Sequence, residues 1–232
     1  MKLNILAIAL LIGATMHVQG EDNAELPNVL IIGDSISIGY TKPLKAMLGG
    51  KAVVSHNAGN AAHSEHGLAK LESWLGKITW DVIHFNHGLH DLKYVDKNRK
   101  NSKTKDNAHI QVPLDKYAEN MEAIVIRLKK TGAKLIFATT TPYPEGVSPL
   151  CVPEDAAKYN AVALEIIKEH GVIVNDLYAF VLPQLKTLQR PMNVHFTPEG
   201  STALAKEVEK HVLKALGQQS PAGDSLKAAP EE

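Results

Sequence analysis

The feature that most limits how this chain can fold is an alternation of short apolar runs with longer amphipathic stretches. "NVLII" precedes 36–48, "AVVSH" precedes 64–75, "WDVIHF" precedes 114–131, "AKLIFATT" precedes 154–169, and "VIVND" leads towards a last helix from 198. Strands that are apolar on both faces cannot leave either side in water, so the intervening helices must cover both. The pattern predicts an α/β fold, a three-layer α/β/α sandwich around a parallel sheet. No internal repeat of fixed period competes with it.

Helix ends are legible as well. Thr197-Pro198-Glu199 offers a capping hydroxyl and a proline at the first helical position, while Lys130-Thr131-Gly132 and Glu169-His170-Gly171 close helices with basic residues and glycine. Residues 93–113 fit no periodic template and carry six Lys/Arg against two Asp. They follow the third strand, on the side where open α/β sheets bind ligands. A solvated loop is the plainer account of them; a substrate-facing flap that prefers anionic ligands is the sharper one.

At 44% hydrophobic and 22% charged, 232 residues can bury their core as one domain, placed over 26–217. Ahead of it, Met1-Lys2, the apolar run from Ile5 to Ile12 and the small-residue site Val18-Gln19-Gly20 are expected to form an export signal over 1–20. The apolar run is well short of the roughly 20 residues a spanning helix needs, so no stable membrane insertion is expected after cleavage. A secreted or periplasmic location follows. Residues 218–232 are small, polar and proline-containing, and are expected to be a disordered tail. Without its signal the chain has 24 basic and 25 acidic residues, because only Lys2 is lost from the 25 of each. A net charge of −1 leaves no basic footprint for nucleic acid. Cys151 is the single cysteine, so no internal disulfide is available.

Chemistry-bearing residues gather at the strand ends. Ser35 follows the first strand in "GDS", where a helix start directs unpaired N–H groups and a positive dipole end into the ligand space. A hydroxyl there can attack a carbonyl while its own N–H stabilises the resulting oxyanion; Asp34 or Ser35 can equally serve as a helix cap. "NAGNAAHS" follows the second strand, "NHGLHDL" the third, and "NVHFTPEG" stands just before the last helix.

This set resembles the SGNH hydrolases, also called GDSL esterases and lipases, from Asn28 to about residue 215. The resemblance implies a flavodoxin-like five-stranded sheet, a carboxylic ester (acyl or acetyl) as substrate, on a small molecule or a glycan, and no cofactor. "GDS" at 33–35 implies Ser35 as nucleophile and oxyanion donor, "NAGN" at 57–60 implies Gly59 as second donor, and "HFTPEG" at 195–200 implies His195 as general base. Two departures stand out. Where the family writes Gly-x-Asn-Asp, this chain has Gly88-Leu89-His90-Asp91, so His90 takes the third donor position. An imidazole can donate only if its tautomer is held, and Asp91 or His87 is near enough in sequence to be involved.

The triad acid is missing as well: its position is Met192, with neutral Asn193 beside it. A backbone carbonyl could hold the His195 ring, a remote acid such as Asp176 or Glu199 could substitute, or turnover could be slow. Two alternatives remain open beside the serine esterase. A zinc hydrolase would draw on His84, His87 and His90, with His56, His63 and His66, although His84 and His87 should face opposite sides of a strand. A carbohydrate-binding relative without turnover would explain the absent acid, with Trp74 and Trp80 as sugar-stacking candidates. A dinucleotide site is excluded, since Gly33 and Gly39 do not complete GxGxxG.

Overall fold

The computed structural model describes residues 25–144 and 146–219. The expected export signal lies outside that range, as does all but the first two residues of the expected tail. Within it, each expected strand and helix forms within two residues of its expected place. The strands β1 (Asn28–Ile32), β2 (Val53–His56) and β3 (Val82–Phe85) are followed by a two-stranded ribbon, β4 (Tyr94–Val95) and β5 (His109–Ile110). Then come β6 (Lys134–Ala138) and β7 (Ile173–Asn175). The main sheet has five parallel strands in the order β2-β1-β3-β6-β7.

Helices α1 (Ser35–Met47) and α7 (Pro198–Leu216) pack on each other over one face, and α2 (Ser64–Leu75), α3 (Leu114–Lys129) and α4 (Pro153–Glu169) line up over the other. With both faces covered, Val29, Leu30, Ile31 and Ile32 of β1 are all at most 1% exposed. Each such side chain contributes about 1.5–3 kcal/mol by leaving water.

Between β7 and α7 the chain forms α5 (Leu177–Val181), a 3-10 turn over Leu182–Gln184 and α6 (Leu185–Leu188). These pieces, like the β4–β5 ribbon inside the 93–113 insertion, are too short to leave a periodic signal. The strand order reverses at β1: β2 pairs on one side of it and β3 on the other. Ligand crevices form at that reversal, outside the carboxyl ends of the strands. Ser35 follows β1 and His90 follows β3, so both belong to that crevice.

Candidate active site

The turn from β1 into α1 is held by three bonds. Gly33 N–H donates to Asn57 Oδ1 at 2.9 Å, Ala61 N–H donates to Gly33 O at 3.0 Å, and Asp34 Oδ1 accepts from Ile36 N–H at 2.9 Å. Asp34, not Ser35, is therefore the cap of α1. Ser35 is left with a free hydroxyl and, as the first helical residue, with an N–H that has no intrahelical acceptor. That pair of groups at one residue is what a nucleophile with its own oxyanion donor needs.

The loop before α7 brings the base. An isolated bridge pairs Gln189 with Phe196, Arg190 N–H donates to His195 O, and Thr197 Oγ1 accepts from Gly200 N–H at 2.9 Å. A Cβ at Gly200 would stand 2.2 Å from Leu188 O, so only glycine lets α7 start this close to α6. His195 Nε2 then lies 2.9 Å from Ser35 Oγ, across 160 residues of chain.

Asn193 answers the question of what holds that ring. Its Oδ1 is 2.9 Å from the His195 backbone N and 2.7 Å from His195 Nδ1. A backbone N–H can only donate, so the amide must present oxygen there, and the same oxygen can only accept from Nδ1–H. The proton is thereby placed on Nδ1, leaving the Nε2 lone pair for the serine hydroxyl. A tautomer error of the kind that follows when a triad acid becomes an amide is avoided; only the negative charge facing a developing imidazolium is missing. Neither remote acid takes this place. Asp176 accepts from Thr139 Oγ1 and caps α5, and Glu199 is an exposed residue in the first turn of α7.

His90 shares a cleft of about 170 Å³ with Ser35, Asn193 and His195. Gly88, at φ +147°, closes the approach: its position packs on Thr140, leaving no room for a side chain. Lys93 Nζ reaches His90 Nδ1 at 3.5 Å. An ammonium has no lone pair, so Nδ1 must be the accepting nitrogen and the ring proton sits on Nε2, 4.0 Å from Asp34 Oδ2. Burial, more than any neighbouring charge, holds His90 below the usual histidine range, which keeps the ring a neutral donor. Neither Asp91 nor His87 sets this tautomer. Lys93 does, and nothing in its own sequence neighbourhood announced it.

Gly59 lines a depression with Ile38, Thr41, Lys42, His56 and Asn57, and Ile38 also lines the depression beside Ser35 and His195. Asp91 is buried behind the site, where Oδ1 accepts from both N–H and Oγ–H of Ser64 at 2.8 and 2.5 Å. Among the described residues no three His, Cys, Asp or Glu side chains are grouped so that they could hold a metal ion. His84, in β3, packs edge-on to Tyr40 beneath α1, while His87, two residues past the end of β3, lies under Gly67 of α2 on the other face. Trp74 and Trp80 are core residues, 8% and 5% exposed, and the Trp80 indole N–H donates to Leu75 O.

A serine–imidazole pair at the carboxyl edge of a parallel sheet, flanked by clefts and N–H donors, is the layout of an ester hydrolase. The GDSL-like lipase/acylhydrolase family model matches residues 31–203, three-quarters of the chain, so the chain belongs to that family, within the SGNH hydrolase superfamily, and is an esterase. Among solved structures, a lipase/acylhydrolase from Enterococcus faecalis superposes with a TM-score of 0.67 at 18% identity, covering 81% of this chain and 95% of its own. The acetyl xylan esterase AlAXEase does so at 0.64 and 17%, covering 80% and 99%. An acetylxylan esterase from Geobacillus stearothermophilus reaches 0.61 at 17%, covering 83% and 95%. At these identities the likeness concerns the fold. No curated protein sequence matches the chain.

Proposed function

We propose that this esterase works through an acyl-serine intermediate, with Ser35 as nucleophile, His195 as general base and Asn193 as the group that orients the imidazole. The carrying observation is the 2.9 Å contact between Ser35 Oγ and His195 Nε2. Ser35 Oγ attacks the ester carbonyl carbon as its proton passes to Nε2. The tetrahedral oxyanion is met by the N–H groups of Ser35 and Gly59 and by the Nε2–H of His90. The C–O bond then breaks, and the alcohol leaves with the proton held by His195. Water repeats the sequence on the acyl-serine, giving the free acid and restoring the hydroxyl.

The substrate class we infer is an acyl or acetyl ester on a small molecule or carbohydrate. Support comes from the family and from the acetyl xylan esterases that share the fold. Export to the outside of the cell or the periplasm is part of the same proposal and rests on residues 1–20. Among the described residues, no helix is long and apolar enough to cross a membrane.

The test is active-site labelling with a fluorophosphonate probe followed by mapping of the modified residue. Modification of Ser35, lost in Ser35→Ala, is expected. Modification elsewhere, or none in folded protein, overturns the mechanism.

A further inference from the structure

Among the described residues, the cleft beside the Ser35–His195 pair is lined by a cation and no acid: Leu89, His90, Lys93, Asn101, Cys151 and Val194 form most of its lining. Lys93 is only partly exposed, at the start of the 93–113 insertion. Among the described residues its ammonium forms no ion pair, and its one hydrogen bond is the 3.5 Å contact to His90 Nδ1. An ammonium carries three donors, so two remain for something in the cleft. Burial holds Lys93 below the usual lysine range, and the opposing influence of Cys151 and of buried Asp91 does not make up for it.

The opposite flank repeats the pattern. There a depression of about 310 Å³ is lined by Ser35, Ile38, Arg190, His195, Phe196 and Ser201, again with no acid among the described residues. Arg190 donates its Nε–H to Phe196 O at 3.0 Å, which fixes the guanidinium and leaves its outer N–H groups unassigned. Arg99, by contrast, is an insertion cation that is already spent on Glu65 at 2.7 Å.

We propose that the substrate is an ester that also carries a carboxylate close to the scissile bond, and that Lys93 receives that carboxylate. The inference rests on the esterase reading and narrows its substrate. A dicarboxylic half-ester would present the anion from the acyl side, and an acylated hydroxy acid or uronic acid from the alcohol side. Both share the chemistry that Lys93 recognises, an anionic oxygen pair within a few bonds of the carbonyl.

Two matched ester pairs separate these sources. The first is 4-nitrophenyl acetate against mono-4-nitrophenyl succinate; the second is methyl 4-acetoxybenzoate against 4-acetoxybenzoate. The readout is the ratio of kcat/KM for the charged to the neutral member, because any effect of Lys93 on His90 divides out of it. Wild type is expected to favour the charged member of one pair by about tenfold or more, as a charge-assisted hydrogen bond allows. Lys93→Met should bring that ratio down by about the same factor, Lys93→Arg should keep most of it, and Lys93→Glu should invert it. The inference is overturned if wild type shows no preference in either pair, or if Lys93→Met slows both members equally. Failure of folded wild type to hydrolyse any of the four esters would instead count against the esterase mechanism itself, and the inference would go with it.

Discussion

Helix α1 carries two serines two residues apart, each in hydrogen-bond contact with a distant histidine, and only one of the two pairs can be a catalyst. Ser35 Oγ meets His195 Nε2 at 2.9 Å; Ser37 Oγ meets His56 Nε2 at 2.7 Å. Both imidazoles are held at their other nitrogen by an oxygen, Asn193 Oδ1 for His195 and Asn57 O for His56. By pairwise geometry they are near equivalents. What differs is everything around the hydroxyl. Ser37 is 2% exposed, and its Oγ also lies 2.7 Å from Asp34 O, so its hydroxyl is enclosed between the turn and His56. Ser35 opens onto clefts on two sides and, as the first helical residue, sets an N–H without an intrahelical acceptor beside its hydroxyl. A short contact between hydroxyl and imidazole is thus no measure of reactivity; access for a carbonyl and a donor for its oxyanion are.

Substitutions can break this comparison. Ser35→Ala should lower kcat/KM for an activated acetyl ester by at least about 10³-fold, since a nucleophile removed from a unit takes nearly all of the unit's effect with it. Its thermal midpoint should be almost unmoved. His90→Ala should cost on the order of 10²-fold, the effect of losing one oxyanion donor, whereas His90→Asn should retain most of the activity, because an amide N–H can donate from the same place. Steady-state kinetics with the acetyl ester read both.

Asn193→Ala should slow turnover by roughly tenfold to a hundredfold, as the ring loses its orientation. Asn193→Asp should be at least as active as wild type and should move the acidic limb of the pH–rate profile to higher pH, because a carboxylate beside a ring nitrogen favours the protonated form. Unchanged kinetics in both variants would remove Asn193 from the mechanism. Ser37→Ala supplies the control. It should leave kcat/KM within a few-fold of wild type and lower the unfolding free energy by about 1–2 kcal/mol, the value of a buried hydroxyl's hydrogen bonds, measured by urea denaturation.

The smallest effect concerns the third serine with a buried partner. Ser64 donates to Asp91, whose carboxyl is pushed up to about 7, chiefly by burial, and whose Oδ2 has no partner among the described residues. The folded protein therefore keeps a proton that the unfolded chain releases near pH 4. This contribution to stability is fully present below about pH 4 and is lost as the pH rises through about 7. Asp91→Asn, which cannot ionise, should flatten the stability profile across that window in denaturation curves taken at several pH values.

Much of the site could be read in advance because its residues sit at positions that local chemistry marks. A serine after a buried strand in "GDS", a histidine just before the Thr197-Pro198 helix start and the donor position of His90 are all recognisable from a few neighbouring residues. Asn193 could be noticed beside the missing acid, but its function depends on one amide oxygen reaching both a backbone N–H and a ring nitrogen, which loop geometry alone decides. Gly59 could be picked out by its motif, but that its depression adjoins the Ser35 flank through Ile38 is visible only in the fold. The histidine spacing suggested metal ligands, but His84 points from β3 towards α1 while His87, past the strand end, is buried under α2.

From sequence alone, the alternation of apolar and amphipathic segments determined the layers, the caps and the presence of a serine at the sheet's carboxyl edge. These follow from burial and backbone hydrogen bonding over a few residues, which local pattern encodes. Only the tertiary structure decided which serine faces which histidine, that Asn193 holds the ring and that Lys93 stands without an anion in the cleft. Those outcomes depend on the packing of α7 against α1 and on the path of the insertion. They are set by the meeting of surfaces far apart in the chain, and no short window of sequence contains both sides of such a contact.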